Sequence, residues 1–446
     1  MGELKRELGL GYATLFGVGL ILGAGVYVLV GRAAGLVGDA VWLSVAFAGI
    51  IALSTAFSYA ELASMFPKAA STHTYIEKAF PNLRILAFIS AWLIFFGGVA
   101  GAATAALGFA GYFVSISGLG SGFIVPVTLT LLVLLSFLNW WGIKESASLS
   151  AVFTVIEASG LLFVIALGFL FSMRQPNYFS FNPNVDPLLA TMVGAAIFYF
   201  AYTGFEFQPT LSEETKNPEK TVPKAIVLAI LVTTVVYLLV ALAVVRLMSW
   251  EELAHSKAPL ADAASRVWRP SYALLSFIAL FATTNTVLGF LVSASRLAYG
   301  LAEEGVVSPV LGRVDKWRRT PYVSVIFSGG LSILLVLLTD YLPRATGWRL
   351  AFGEYRYELI DLVGKTASLS VLLAFILVNL SVVVLRLSEN SRERFFRVPL
   401  SVGNVPVLPL IADALIVVFI ALSFNDWIVW LSTALVSALG LILYKR

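Results

Sequence analysis

The chain is a succession of long blocks that are apolar on every face, separated by short polar breaks. A helix that is apolar all round lies in a large core or in a membrane, and about 20 apolar residues cross a bilayer core of about 30 Å. The pattern predicts helices near 10–37, 40–66, 84–114, 123–141, 149–172, 188–211, 222–247, 271–301, 321–340, 359–386, 405–424 and 426–444. The reading is an all-α integral membrane protein of about 12 spans, in a single membrane domain over 1–446. The longer connections, 248–270, 302–320, 341–358 and 387–404, carry Pro, Gly and charge and read as water-exposed loops. No linker or low-complexity tract marks a second domain.

Composition agrees. The 446 residues are 59% hydrophobic and 13% charged, with a mean hydropathy of +0.90; a soluble chain averages about 45–50% apolar. No cleavable signal peptide is expected at MGELKRELGLGY. With no cysteine, thiolate chemistry and disulfides are excluded. His73 and His255 are distant and expected in loops, so no metal centre and no cofactor are anticipated. The net charge of +4 gives no support for nucleic-acid binding. Nineteen Lys and Arg fall on the face carrying the two termini and nine on the other, with Arg296 and Lys365 inside spans. That bias predicts both termini in the cytoplasm.

Two segments break the apolar rule. The first holds Gly17, Gly19, Gly23 and Gly25, ending in Leu22-Gly23-Ala24-Gly25-Val26. Glycine weakens a helix by about 1 kcal/mol relative to Ala, so this span can unwind at its centre. Unwound backbone is tolerated in a membrane only beside a cavity. The new helix N-terminus would attract a carboxylate, and the freed carbonyls an ammonium. A small-residue packing face through Gly19 and Gly23 is the competing reading. The sixth segment, Phe198-Tyr199-Phe200-Ala201-Tyr202-Thr203-Gly204-Phe205-Glu206, also places a glycine and then a carboxylate inside an apolar span. A charge within a span costs at least ~2.5 kcal/mol. Glycine-interrupted segments at matching places in two halves point to a transporter's binding site. Here the halves would be about 10–172 and 188–386, an inverted 5+5 repeat, with two extra helices over about 405–444.

Several motifs, in order, carry a resemblance. LKRELGLGYATLFGVGLILGAGVYVLVG (4–31) is similar to the first helix, with its G-[SA]-G break, of the amino acid–polyamine–organocation superfamily, whose fold is leucine-transporter-like. SYAELASMFPKAASTHTYIEKAF (58–80), NWWGIKESA (139–147), FYFAYTGFEFQPTLSEETKNPEKTVPKAI (198–226), SASRLAYGLAEEGVVSP (293–309), RRTPYVSV (318–325) and RFFRVPL (394–400) resemble further family segments. One departure is Ser71-Thr72-His73-Thr74-Tyr75, where the family often has Gly-Gly-x-Tyr.

The resemblance implies a site for the backbone of an α-amino acid. Its carboxylate would take the N–H groups of Gly23, Ala24 and Gly25, and its ammonium the carbonyls of Ile21, Phe200 and Thr203, with Ala201 alongside. Phe200 matches an aromatic gate; simple packing is its bland reading. Glu157 lies in the fifth span, ~13 Å from its start, with no partner in its own helix. An intramembrane acid of this kind is a candidate proton carrier, where related proton-coupled carriers have a lysine; a structural glutamate is the alternative. Glu206 would support the helix break or couple substrate to gating. Thr283, Thr284, Asn285 and Thr286 would suit Na⁺, or simply bond between helices. Asp361 and Lys365 have the spacing of an i,i+4 ion pair, with an outer gate as the other reading. Glu61 reads as a structural contact near the terminal face, and Trp250, Trp317 and Trp348 as interface anchors.

An integral membrane enzyme would need a catalytic set, which no cluster of acids, His or Cys supplies. A channel would need a continuous polar lining, and the intramembrane charges are isolated. The expectation is a proton-coupled amino acid symporter of the plasma membrane. Sodium symport and amino acid or polyamine exchange are the alternatives. Its partners would be a small amino acid, weakly preferred neutral, and lipid; oligomeric state is unreadable.

Overall fold

Helix starts are set by local chemistry. Asp186 accepts from the Leu189 amide ahead of Pro187, Asn217 with φ +46° precedes Pro218, and Asp426 accepts from the Ile428 amide. Each puts a short polar residue at the cap and, in two cases, proline in the first turn, where its missing N–H costs nothing. The computed structural model describes residues 4–23, 25–347, 350–352, 355–388 and 393–445.

The helices are α1 (Leu10–Leu22), α2 (Gly25–Val37), α3 (Val41–Met65), α4 (Thr72–Ala79), α5 (Arg84–Ser117), α6 (Ile124–Trp141), α7 (Ile143–Leu170) and α8 (Pro187–Tyr202). They continue as α9 (Pro218–Leu247), α10 (Trp250–His255), α11 (Pro259–Ser265), α12 (Ser271–Glu303), α13 (Tyr322–Val336), α14 (Leu342–Thr346), α15 (Leu359–Ser388), α16 (Val407–Ser423) and α17 (Trp427–Leu443). Two small hairpins, β1–β2 (Leu350–Phe352, Tyr355–Tyr357) and β3–β4 (Ser401–Val402, Val405–Pro406), lie outside the spans. Among the described residues nine spans pass the length and hydropathy test singly, or up to eleven counting the bent pairs α1–α2 and α16–α17. The twelve of the sequence reading are reached when α16 and α17, folded back at 120°, count separately; each has 17 residues, the short end of a spanning helix.

Both expected breaks are present: the 10–37 block is two helices, and the sixth span is α-helical only to Tyr202, continuing as a tight 3₁₀ segment over Phe205–Glu214. Two expectations need correction. His73 is not in a loop but buried within α4, and His255 closes α10. The 248–270 connection holds two short helices rather than plain loop. Trp348, expected as an interface anchor, lies outside the described residues; Trp317 is fully exposed.

Helix α3 packs along α9 and α8, and α5 along α12 and α15. Close approach is bought by small residues: a Cβ on Gly168 would meet the Ala243 carbonyl at 2.6 Å, and one on Gly300 the Ala70 amide at 2.2 Å. Both chain ends meet the C-terminal end of α12 or the segment just after it. Leu4 packs with Ala69 and Tyr299, and the Lys445 amide donates to Val306. The termini therefore share one face, here the terminal face.

That face is sealed by buried ion pairs. Arg296 of α12 donates from Nε to Glu214 Oε2 at 2.9 Å and from Nη2 to Oε1 at 3.1 Å, and also to Asn139 Oδ1. The Glu214 carbonyl accepts the Glu7 and Leu8 amides. Glu61 of α3 binds Arg386 of α15 at 2.5–2.8 Å and the Val398 amide at 2.7 Å, as the structural reading expected.

Removing one partner of such a pair costs roughly 3–5 kcal/mol. Glu214→Gln is expected to lower the thermal unfolding midpoint in detergent markedly; an unchanged midpoint would deny the pair its closing role. His73, beside Glu77 at 3.8 Å, is held by burial below the ordinary imidazole range. The unfolded chain therefore binds this proton first, and stability present at neutral pH is lost as pH falls through that range. His73→Gln is expected to flatten the fall of the unfolding midpoint on mild acidification.

Candidate functional site

Gly23 ends α1 with φ +35° and ψ −173°, and a Cβ there would crowd Thr286 Oγ1 at 3.0 Å. Helix α2 restarts at Gly25. The first N–H groups of a helix have no partner within it and carry its positive pole, and no described hydrogen bond takes the Gly25 or Val26 amide. The contact assigned to Ala24 lies outside the described residues. The second break runs through extended Thr203 to Gly204, with φ +130° and ψ −30°. A Cβ on Gly204 would stand 3.1 Å from the Leu20 carbonyl, so the two breaks touch and only glycine fits. Glu206, fully buried, accepts the Gly204 amide at 2.7 Å. Its carboxylate caps the 3₁₀ segment, the geometry of helix-break support.

The freed carbonyls meet a residue that sequence reading missed. Tyr237 of α9 sets its hydroxyl against the carbonyls of Ile21 (2.7 Å), Leu22 (3.0 Å) and Ala201 (3.0 Å). One proton is shared among three acceptors at the C-terminal ends of α1 and α8. The signal available in sequence was only that a buried tyrosine needs a partner for its hydroxyl. The Phe200 carbonyl is also engaged, by the Thr203 hydroxyl at 2.8 Å and amide at 3.3 Å, which leaves it less available to an ammonium than expected.

A cavity of about 380 Å³ opens at the junction, within the usual range for small-molecule sites. Ile21, Gly23, Gly25, Phe200, Ala201 and Thr203 line it; Glu206, Thr283 and Thr286 do too. Its remaining wall is mostly apolar: Val28, Leu29, Phe207, Phe290 and Val371, with Gly97, Gly101 and Gly108 of α5. A Cβ on Gly101 would press to 2.7 Å from the Phe290 ring. The lining of α5 and α15 comes from the halves leading away from the terminal face, so the cavity reaches toward the opposite face. Phe200 is 46% exposed there.

Glu157 does not line the cavity. It is buried in α7 behind the first break, and neither carboxylate oxygen accepts a hydrogen bond. Asn285 is the amide near enough to interact with it, and the Tyr27 hydroxyl donates to its backbone carbonyl at 3.3 Å. One turn earlier, Thr154 receives Asn285 Nδ2 at 2.9 Å, and its hydroxyl hydrogen is shared between the Ser150 carbonyl of its own helix at 2.8 Å and the Leu15 carbonyl of α1 at 3.2 Å. Glu157 thus sits on the seam of α7, α1 and α12. Thr283, Thr284 and Thr286 turn their hydroxyls onto carbonyls of their own helix. Only Asn285 bonds between helices, also accepting Ser150 at 2.7 Å. The Asp361–Lys365 ion pair is not formed: both side chains are exposed on α15, and no described ion pair joins them.

A family model described as "Amino acid permease" matches residues 8–439. The chain is 28% identical over 465 residues to the branched-chain amino acid permease of Bacillus subtilis, covering 99% of this chain and 93% of that one. It is 26% identical over 461 residues to the methylthioribose transporter of the same organism, with the same coverage. To cationic amino acid transporter 4 of Mus musculus it is 29% identical over 416 residues, covering 87% of this chain and 61% of the relative.

Tyr237→Phe removes the donor that holds both broken ends and is expected to weaken substrate binding about 5- to 30-fold, the equivalent of about 1–2 kcal/mol, with the fold retained. Gly204→Ala places a side chain at φ +130° against the Leu20 carbonyl and is expected to abolish binding. Scintillation proximity binding on purified protein checks both.

Proposed function

We propose, from the premise that this chain belongs to the amino acid permease family and carries amino acids across a membrane, that it is a proton-coupled symporter of neutral α-amino acids with apolar side chains. The observation that carries this reading is the meeting of two broken helices at one cavity. There, unpartnered N–H groups at the start of α2 face carbonyls at the ends of α1 and α8. A zwitterionic head fits such a pair of poles without any charged side chain. Helix poles and carbonyls would hold the carboxylate and ammonium, and Phe200 would cover them. The apolar wall, in which Phe290 and Val371 pack onto the glycines of α5, suits a branched or aromatic side chain.

Transport follows alternating access between two halves, about 10–172 and 188–386. The terminal face is the cytoplasmic one and the membrane the plasma membrane, in line with the charge bias. The cavity then faces outward, and the Arg296–Glu214 and Arg386–Glu61 pairs close the inner side. Glu157 is the proton carrier. An ionised carboxylate in the dry seam of α7, α1 and α12 costs at least ~2.5 kcal/mol, so the protonated, neutral form favours occlusion. Parting of the seam on the inner side admits water and releases the proton.

A second reading, cationic substrates, has one observation in its favour: Glu206 is among the residues lining the cavity. Its bond to Gly204 makes it a helix cap first, and the neutral reading is preferred. Sodium coupling would instead draw on Thr283 and Thr286.

Liposomes holding purified protein are expected to take up leucine or valine faster under an inward proton gradient and to be indifferent to sodium. Arginine should compete weakly. Glu157→Gln should abolish the proton-gradient stimulation while leaving substrate exchange. Sodium-driven uptake that survives this substitution would move coupling to the Thr283–Thr286 region; arginine outcompeting leucine would overturn the neutral assignment.

A further inference from the structure

A second intramembrane acid lies away from the cavity. Asp413 of α16 begins two turns in from the terminal-face end of its helix and is 9% exposed. No described ion pair involves it. Asn379 of α15, fully buried, donates from Nδ2 to Asp413 Oδ1 at 2.8 Å and to Thr55 Oγ1 of α3 at 3.4 Å. The cluster therefore joins the helix pair α15–α16 to α3, which packs against the broken helix α8.

Its hydrogen-bond account does not balance. Asp413 Oδ2 and Asn379 Oδ1 are both buried and both lack a donor, and the neighbouring Tyr199 hydroxyl of α8 also has no partner. Two orphaned acceptors on one bonded acid–amide pair are what remains when a single hydrogen is left out. A carboxylic acid and a primary amide satisfy each other with two bonds, N–H to C=O and O–H to C=O. The first is present. A proton on Asp413 Oδ2 supplies the donor that the second lacks, and removes an uncompensated charge from a buried site where none would be stable. A metal cation fits less well: Thr55 already receives the Asn379 amide, and the wall beyond is aromatic, with Tyr199 against Phe419 at 5.7 Å and Phe375 at 6.4 Å.

We infer that Asp413, with Asn379 and Thr55, is a second proton-binding site, separate from Glu157, whose occupancy ties α16 and α15 to α3. The ionisable groups facing it from the packed elements are few. Helix α8 offers Tyr199, within electrostatic reach of both Asp413 and Glu206. Helix α3 offers Tyr59, one turn from Thr55, against Phe375 at 5.8 Å and hydrogen-bonded to Thr72, and α3 and α15 offer Glu61 and Arg386, about two turns nearer the terminal face and bound to each other. Asp361 and Lys365 stand at the far end of α15, and β3 offers none.

Infrared difference spectroscopy on the full-length protein in liposomes, stepped from acid to alkaline buffer without sodium, reads the site directly. The wild type is expected to show a protonated-carboxyl stretch that is lost in Asp413→Asn and displaced in Asn379→Ser, where the amide partner is gone. Asp413→Asn keeps a neutral amide in place and should unfold no more readily than the wild type. If it does not fold, the Asn379→Ser displacement and a shifted band in Asp413→Glu carry the same assignment. A spectrum with no carboxyl band sensitive to these substitutions, or a band that follows sodium at fixed pH, overturns the site. Neither readout depends on which substrate the cavity takes.

Discussion

Backbone that leaves its helix inside a membrane must find new partners or face a cavity, because hydrocarbon offers none. Both halves of the answer are present at the junction of α1, α2 and α8. Tyr237 gathers three carbonyls on one hydroxyl, and Glu206 takes the Gly204 amide. What these two side chains leave open, the amides starting α2, faces the cavity. The site is therefore the unsatisfied remainder of two broken helices, and its polarity suits a zwitterion because a helix start and two helix ends converge there.

The same junction is tight. Leu20 presses on Gly204, Thr286 on Gly23, and Gln208 fills the space over Gly17. Contacts of this kind have discrete arrangements rather than continuous ones, so a shift at one break moves the other. Glu157 and Asn285 lie along the adjoining seam, which is where such a shift would change access to water.

The two faces are held by different physics. The terminal face is locked by buried guanidinium–carboxylate pairs whose rupture leaves charge stranded. The opposite face has one such pair, Arg174 with the buried Asp39 at 3.1 Å between the ends of α2 and α7, while the cavity wall itself is mostly glycine, alanine and apolar side chains that part without that cost. That asymmetry matches a cavity reaching toward one face while the other is closed.

Apolar blocks, glycine clusters and isolated acids made much of this legible without coordinates. A membrane span is a one-dimensional property of about 20 residues, so spans and the breaks at Gly23 and Gly204 could be read along the chain, while Ile21, Phe200 and Thr203, which line the cavity, were pointed to by the family resemblance. Glu157 was visible as an acid in an apolar helix, and Glu61 as a contact near the terminal face. What depended on distant segments was not legible. Tyr237 stands 216 residues from Ile21 and looked like any tyrosine in a span. Arg296 reads as a lone charge in sequence because its partner Glu214 lies on another segment, and Asp413 has no sequence neighbour that announces its bond to Asn379, 34 residues away. His73 sat in a segment too polar to read as a helix. Asp361 and Lys365 had the right spacing but remain apart in solvent, where an exposed pair gains too little to hold two side chains in one geometry. Solvent preference along the chain fixes which segments enter the membrane; which polar groups then satisfy one another is decided only when the helices pack.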